Sequence, residues 1–283
     1  RPPSESRKLW TLLKYRTIAR YSDREFVGPR FGDKTLFALL FMSLYWKIGN
    51  DVDPRSVASI ASLFFFIAAK CGFGAASFVP ALTLERKLYY RELADGCYAP
   101  ITYYMAKFLE EAFIAMFTSL VFTIAVFFGC ALQGNFGIFF LTYYLTTLVG
   151  VILAYAFSAY FSTLSAANSW LPTYVTVCLY FSGFVILYEK IPVGWQWVTW
   201  TSFMRYSWGA MMVDNFQSSD PGKVKVFFDA EGNAQTVLEF YSMTEDVPIM
   251  NSAGACLGML TVILAFFTVL GVLALVYIRH DRR

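Results

Sequence analysis

Apolar residues dominate the chain in long runs that polar clusters interrupt, and this pattern rather than any short motif sets the first expectations. Runs at about 34–49, 57–82, 101–131, 135–161, 170–188 and 252–278 approach or exceed the roughly 20 residues a helix needs to cross a hydrocarbon layer. Backbone groups in such a layer must be satisfied internally, so the runs predict helices and an all-α integral membrane protein with six transmembrane helices. From Glu5 to Phe26, Leu9, Trp10, Leu12, Leu13, Ile18 and Tyr21 alternate with Lys8, Lys14, Arg16, Arg20 and Arg24. That pattern predicts a basic amphipathic connecting, or elbow, helix lying on an anionic membrane face, so residues 1–33 form a lead-in and 34–283 the membrane domain.

One segment resists the simple pattern. Residues 191–213, IPVGWQWVTWTSFMRYSWGAMMV, are long enough for a seventh crossing but contain Trp195, Trp197, Trp200 and Trp208, together with Pro192, Gly194 and Arg205. Tryptophan is typical of membrane interfaces, so the segment is expected to form a re-entrant or interfacial helical hairpin before the last span. Residues 214–250 then form an exposed external loop carrying Asp214, Asp220, Asp229, Glu231, Glu239, Glu245 and Asp246.

Composition agrees with the pattern. Hydrophobic residues make up 57% of the 283 and charged residues 15%, against roughly 25% in an ordinary soluble domain. The formal charge of +3 forms no stripe through a folded domain, which excludes nucleic acid as a partner and points to membrane topology. Nine Lys and Arg precede residue 35, Arg86, Lys87 and Arg91 lie between the second and third runs, and Arg279, Arg282 and Arg283 end the chain. The positive-inside rule therefore puts both termini and the 84–98 loop in the cytoplasm, and the plasma membrane is the expected host. The five cysteines form no C-x-x-C pair and read as small buried hydrophobes, no Asn-x-Ser/Thr sequon occurs, and a first residue of Arg suggests a piece of a longer protein.

Soluble-enzyme chemistry is missing from the pattern. Gly28 to Thr35 has the wrong spacing for a phosphate-binding loop, and Gly72-Phe-Gly74 inside an apolar run reads as close helix packing. His280 is the sole histidine, so neither a paired-histidine metal site nor a Ser-His triad is available. No catalytic residue, metal or cofactor is assigned to this chain.

Charge inside the apolar runs is more informative. At about 1.5 Å per residue, Lys70 lies about 21 Å and Glu110 and Glu111 about 14 Å from the same end of the second and third spans. The residual 7 Å or so is within reach of long side chains, so Lys70 is expected to pair with Glu110 or Glu111. The pair reads either as a clamp between helices or as an intramembrane polar relay, the feature a secondary transporter or channel would use.

The stretch LFFFIAAKCGFGAASFVPALTLERKLYYRELADGCYAPITYYMAKFLEE, Leu63 to Glu111, resembles the second span, first cytoplasmic loop and third span of the G subfamily of ABC transporters. The resemblance rests on Glu85-Arg86, the aromatic-x-Arg91-Glu92 step, Gly96-x-Tyr98 and Tyr104-x-Ala106-Lys107-x-x-x-Glu111. YFSGFVILYEKIPVGWQWVTWTSFMRYSWGAMMVDNF, Tyr180 to Phe216, resembles the fifth span and re-entrant segment of the same family. The resemblance implies a type-2 exporter membrane domain working as a homo- or heterodimer and moving hydrophobic or amphipathic molecules such as lipids, sterols or xenobiotics. It implies that ATP and Mg are bound by a nucleotide-binding domain outside this chain. It further implies that Glu85, Arg86, Lys87, Arg91 and Glu92 form a coupling helix docking on that domain; a solvated loop is the plainer reading. Matching positions suggest a cavity lined by Phe73, Lys70, Thr176 and Leu179 and a plug of Phe184 and Val185, although apolar residues at these positions also read as core. Where the family's multidrug member carries Asn, this chain has Lys70, which suggests anionic or amphipathic cargo. The external loop lacks the cysteine of that member's inter-subunit disulfide, so pairing of two copies would be noncovalent.

Overall fold

Two prolines open long helices at their first turn, where a missing N–H costs nothing: Pro54 starts α3 (Pro54–Gly74) and Pro100 starts α6 (Pro100–Gly129). The computed structural model describes residues 4–17, 24–51, 53–217, 219, 223, 225, 227–228, 233–243, 249–278 and 280. Ahead of α3 come α1 (Glu5–Leu12), which runs into a π-turn over Leu13–Thr17, and α2 (Arg24–Leu44). A 3₁₀ turn over Ala75–Phe78 joins α3 to α4 (Val79–Thr83), and α5 (Arg86–Ala94) leads into α6. Then follow α7 (Phe136–Tyr160), α8 (Leu164–Tyr180), the short α9 (Gln196–Thr199) and α10 (Phe203–Phe216). A two-residue ribbon, β1 (Phe227–Phe228) with β2 (Ala234–Gln235), precedes α11 (Val237–Phe240) and the final α12 (Ala253–Tyr277).

The described residues are mainly helical, and four stretches are long and apolar enough to cross a membrane: Pro54–Thr83, Pro100–Gly129, Phe136–Tyr160 and Ala253–Tyr277. α2 carries Arg30, Asp33 and Lys34, and α8 has 17 residues, so neither joins that set. Two expected boundaries move. Residues 18–23 lie outside the described residues, and the helix that holds the run expected at 34–49 already includes Arg24 to Asp33 and ends at Leu44, with Gly28, Pro29 and Gly32 inside it. The run expected at 170–188 forms a helix six residues earlier, because the Thr163 hydroxyl accepts from the Ala166 N–H as an N-cap and the chain turns out at Gly183, whose φ is +93°.

α7 lies at the centre, packed on α12, α6, α10, α3 and α8, while α2 packs along α6. Gly150 permits the α3–α7 contact, since a Cβ there would stand 2.9 Å from the Cys71 carbonyl oxygen. Gly72 is likewise closed in by Val175 and Phe203, the close packing expected of it, whereas nothing crowds Gly74. Two polar contacts cross the interior: Trp208 Nε1 donates to the Ala61 carbonyl (3.1 Å), and Thr146 and Ser207 hydroxyls meet at 2.6 Å between α7 and α10.

The 191–213 segment is a helix, a break at 200–202 and a second helix. Trp195, Trp197 and Trp200 are exposed as an interfacial segment requires, but Trp208 is fully buried, because α10 packs against α3, α7 and α12. Beyond it the chain is not simply an exposed loop. Val237, Met243 and Met250 are buried, Tyr241 meets Trp208 edge-on, and Thr236 with Glu239 forms a capping box. Asp214 belongs to α10, and Asp220, Asp229, Glu231, Glu245 and Asp246 lie outside the described residues, as do Arg1, Arg20, Arg279, Arg282 and Arg283. Of the cysteines, Cys71, Cys130, Cys178 and Cys256 are buried; Cys97 is exposed, contrary to expectation, because it follows the turn that ends α5.

At the end of the bundle away from α5, Asp214 accepts the Asn135 N–H (2.8 Å) and Asn215 accepts the Gln133 N–H (3.0 Å), tying α10 to the α6–α7 connection. Burial pushes the Asp214 carboxyl up to about 6. A raised carboxyl stabilises the fold fully below its ordinary range, and that contribution is lost as pH rises through 6. The apparent melting temperature of detergent-purified protein is therefore expected to fall by a few degrees between pH 5 and 7, and Asp214→Asn to flatten that step. An unchanged step in the variant would assign it elsewhere.

Candidate functional site: an apolar cavity with a charged wall, linked to α5

Aromatic positions of α2 and α3 line a cavity of about 970 Å³, backed by α6 and α7. Its apolar surface comes largely from Phe37, Phe41, Phe65, Phe66, Phe73 and Leu179. Phe66 and Phe73, two turns apart on α3, are 52% and 41% exposed, so they present ring surface to the opening rather than to the core.

The charged wall comes chiefly from one helical face of α2. Arg30, Asp33, Lys34 and Phe37 follow one another at spacings of three, one and three residues, which places them over about two turns. Arg30 donates to Glu111 of α6 through Nη2 (2.6 Å) and Nε (3.3 Å), a two-pronged contact with a carboxylate whose residue is 2% exposed. Asp33 takes the Lys70 ammonium at 2.6 Å, and that ammonium lies 4.1 Å from the Phe37 ring centroid. Lys34 donates to the Tyr143 hydroxyl (2.8 Å) and the Thr147 hydroxyl (3.2 Å) of α7, with its Nζ 4.5 Å from the Tyr143 ring centroid.

These contacts overturn the expected pairing of Lys70 with Glu110 or Glu111. Depth along the spans allowed that pair, but α2 stands closer to Lys70 and supplies Asp33, while Glu111 is taken by Arg30. Glu110 faces a smaller recess with Leu12, Leu13, Tyr103 and Lys107, away from the cavity. Of the expected cavity residues, Lys70, Phe73 and Leu179 line it. Thr176 is exposed on α8, its hydroxyl bonded to the Pro172 carbonyl (2.8 Å). Phe184 stacks on Phe65 at 4.6 Å and meets Trp208 and Tyr241, and Val185 is exposed beside it. Arg30, Asp33 and Lys34 were not anticipated; the signal was present in their spacing, masked by the glycines and proline around them.

The second part of the site is α5, which sits under a tyrosine cluster in which Tyr89 lies 4.7 Å from Tyr103 and Tyr98 stacks on Tyr103 at 5.5 Å. Two anchors join it to the cavity helices. Glu85 forms an ion pair with Lys107 of α6 at 2.7 Å, with the Tyr103 hydroxyl donating to the same oxygen (3.3 Å). Arg86 donates to the Ser158, Phe161 and Ser162 carbonyls, where a guanidinium satisfies orphan acceptors and meets the negative end of the α7 dipole. Glu92 is also turned inward and accepts from the Tyr98 hydroxyl. Side chains turned outward include Lys87 and Arg91, one turn apart, Asp95, and Leu84, which is 72% exposed.

The described ends of the chain meet at this same end. Glu5 of α1 accepts from the Thr102 hydroxyl (2.6 Å) at the start of α6, and its carboxyl is held below the usual range by Lys8 first and Thr102 second. His280 contacts the Ala159 carbonyl (2.9 Å) and donates its backbone N–H to Tyr90 of α5 (3.1 Å). Among the described residues no group of His, Cys, Asp and Glu is arranged to hold a metal ion.

Residues 7–216 match the family model of the ABC-2 type transporter. The chain is similar to ABC transporter G family member 17 of Arabidopsis thaliana, 26% identical over 251 residues that cover 83% of this chain and 35% of that protein. It is similar also to ABC transporter G family member 4 of Dictyostelium discoideum, 23% identical over 88% of this chain and 31% of that protein. A further relative is pleiotropic drug resistance protein 1 of Nicotiana tabacum, 24% identical over 68% of this chain and 14% of that protein. The chain thus spans about a third or less of the length of these relatives.

Proposed function

The chain belongs to the ABC-2 type transporter family as a membrane domain of the ABC transporter G kind, and from this we propose that it carries hydrophobic or amphipathic molecules across a membrane in an ATP-driven exporter. In this reading α2 and α8 complete six spans, and α1 and α5 face the cytoplasm, as the basic residues around them favour. ATP with Mg is handled by a nucleotide-binding domain outside this chain, and a second membrane domain, identical or related, completes the transporter.

The observation that carries the reading is the linkage between α5 and the cavity. Glu85 ties α5 to α6, Arg86 ties it to α7, and α6 and α7 back the cavity. A push on α5 therefore displaces the helices that form the binding space, which is what alternation between inward- and outward-facing states requires. A secondary transporter or channel running on a Lys70–Glu110/Glu111 relay finds less support, since Lys70 is held by Asp33 and Glu111 by Arg30.

The full-length protein reconstituted in liposomes is expected to show vanadate-sensitive ATP hydrolysis and ATP-dependent accumulation of a hydrophobic dye. Accumulation driven by an ion gradient without ATP would contradict the reading. The docking face is Lys87 and Arg91, not Glu85 and Glu92, which are engaged within the bundle. Lys87→Glu with Arg91→Glu is expected to lower accumulation at least tenfold while the melting temperature stays within about a degree, since both side chains are exposed. Unchanged accumulation would remove α5 from the coupling path.

A further inference from the structure

We propose that the cavity selects amphipathic molecules bearing a single oxyanion headgroup, a carboxylate or a sulfate, and that Lys34 is the residue that holds it. The inference deepens the export reading and relies on it only for the fate of the bound molecule, not for the binding.

The charges lining the cavity do not balance. Arg30, Lys34 and Lys70 face Asp33 and Glu111, three cations against two carboxylates. Two of the cations have carboxylate partners in the cavity wall, Arg30 with Glu111 and Lys70 with Asp33. Lys34 is different: the partners it has among the described residues are the Tyr143 and Thr147 hydroxyls and the Tyr143 ring, all neutral. An ammonium has three donors and no acceptor capacity, so two hydroxyls leave one N–H direction unused. Tyr143, in accepting from Lys34, keeps its own O–H proton, which the Cys71 sulfur stands ready to accept. One ammonium donor is thus left on the back wall.

The rest of the cavity fits the other end of such a molecule. Its walls are mostly phenylalanine and leucine, and its 970 Å³ falls in the range of ligand pockets that bury a drug-sized body. In surroundings of low polarizability a cation matched only by neutral groups attracts an anion far more strongly than it would in water. A neutral amphipath gains the apolar contact alone, and a cationic one meets the excess charge. The cation that sets the headgroup preference is therefore Lys34, because Asp33 neutralises Lys70.

The test uses full-length protein in phosphatidylcholine nanodiscs, without nucleotide, and measures binding of hexadecanoate, hexadecyl sulfate, hexadecanol and hexadecyltrimethylammonium. Both anions are expected to bind at least tenfold more tightly than hexadecanol, and the cation more weakly. Lys34→Met and Lys34→Gln should erase the anion preference while hexadecanol binding stays as in the unaltered protein, which also reports that the cavity is intact. Lys34→Arg should keep the preference. Asp33→Asn with Lys70→Met, which removes the matched pair, should also keep it. Equal affinity for hexadecanol and the anions, a preference that survives loss of the Lys34 charge, or one lost in the arginine variant would overturn the proposal. Since no ATP is present, failure of ATP-driven export would leave these affinities untouched, so the two readings fail separately.

Discussion

Arg86→Ala is expected to leave ATP hydrolysis by the full-length protein running while ATP-dependent accumulation falls at least tenfold. Three carbonyls at the end of α7 share this one guanidinium. Hydrogen bonds to a charged donor contribute about 1.5–3 kcal/mol each where they are buried, and the partly exposed setting places the total loss at about 2–4 kcal/mol. With the α7 anchor gone, α5 stays attached through Glu85 and Lys107, so a push on it moves α6 without α7. Lysine at this position restores the charge but reaches one carbonyl rather than three, so Arg86→Lys should recover only part of the coupling. Parallel measurement of hydrolysis and accumulation checks this, and a fall of both in equal proportion would mean that Arg86 supports the fold alone.

The second large effect concerns the wall of the cavity. Arg30→Met takes a guanidinium from Glu111, whose carboxylate is buried where α2 packs on α6. Breaking a buried pair from one side costs about 3–5 kcal/mol, because the remaining charge keeps its desolvation penalty. Replacing both partners with apolar residues removes that penalty, so Arg30→Met with Glu111→Leu should be more stable than Arg30→Met alone by at least half the loss. Thermal unfolding of the single and double variants measures the coupling between the two residues, and additive losses would show that the pair is not a unit.

Much of the architecture could be read from the chain because lipid imposes a length and an apolar composition on any helix that crosses it. α6, α7 and α12 follow from long apolar runs, and the break around 200–202 follows from the density of tryptophan with Pro192 and Gly194. Charge pairing was less legible. Lys70 was marked as a buried cation in need of a partner, but depth along a span says how far down a side chain lies and nothing about which helix stands beside it. The first apolar run was placed at 34–49, which left Arg30 and Asp33 in the lead-in ahead of it. In the fold, α2 runs through these residues, and that single difference moves the partner of Lys70 from α6 to α2.

The charge cluster at 84–95 shows the same limit at closer range. Its place between two long helices and its density of charge identify it as a distinct element, yet the helical period alone could not say which charges turn inward. The fold settles this through what stands above α5: Lys107 draws in Glu85, the end of α7 draws in Arg86, and Tyr98 draws in Glu92. Lys87 and Arg91 stay outward by elimination. Trp208 misled for a related reason, since an indole N–H that suits an interface is equally satisfied by the Ala61 carbonyl in the core.

The claim at the centre of this account is that α5 and the cavity move together. Leu40 and Phe73 both line the cavity and are both exposed, so spin labels placed there report its width in the full-length protein. Pulsed electron resonance in nanodiscs, with and without trapping by ATP and vanadate, is the most direct measurement. A shift of several ångströms in the Leu40–Phe73 distance on trapping, absent when Arg86 is alanine, is the predicted result; a distance that does not change, or changes equally without Arg86, would contradict it.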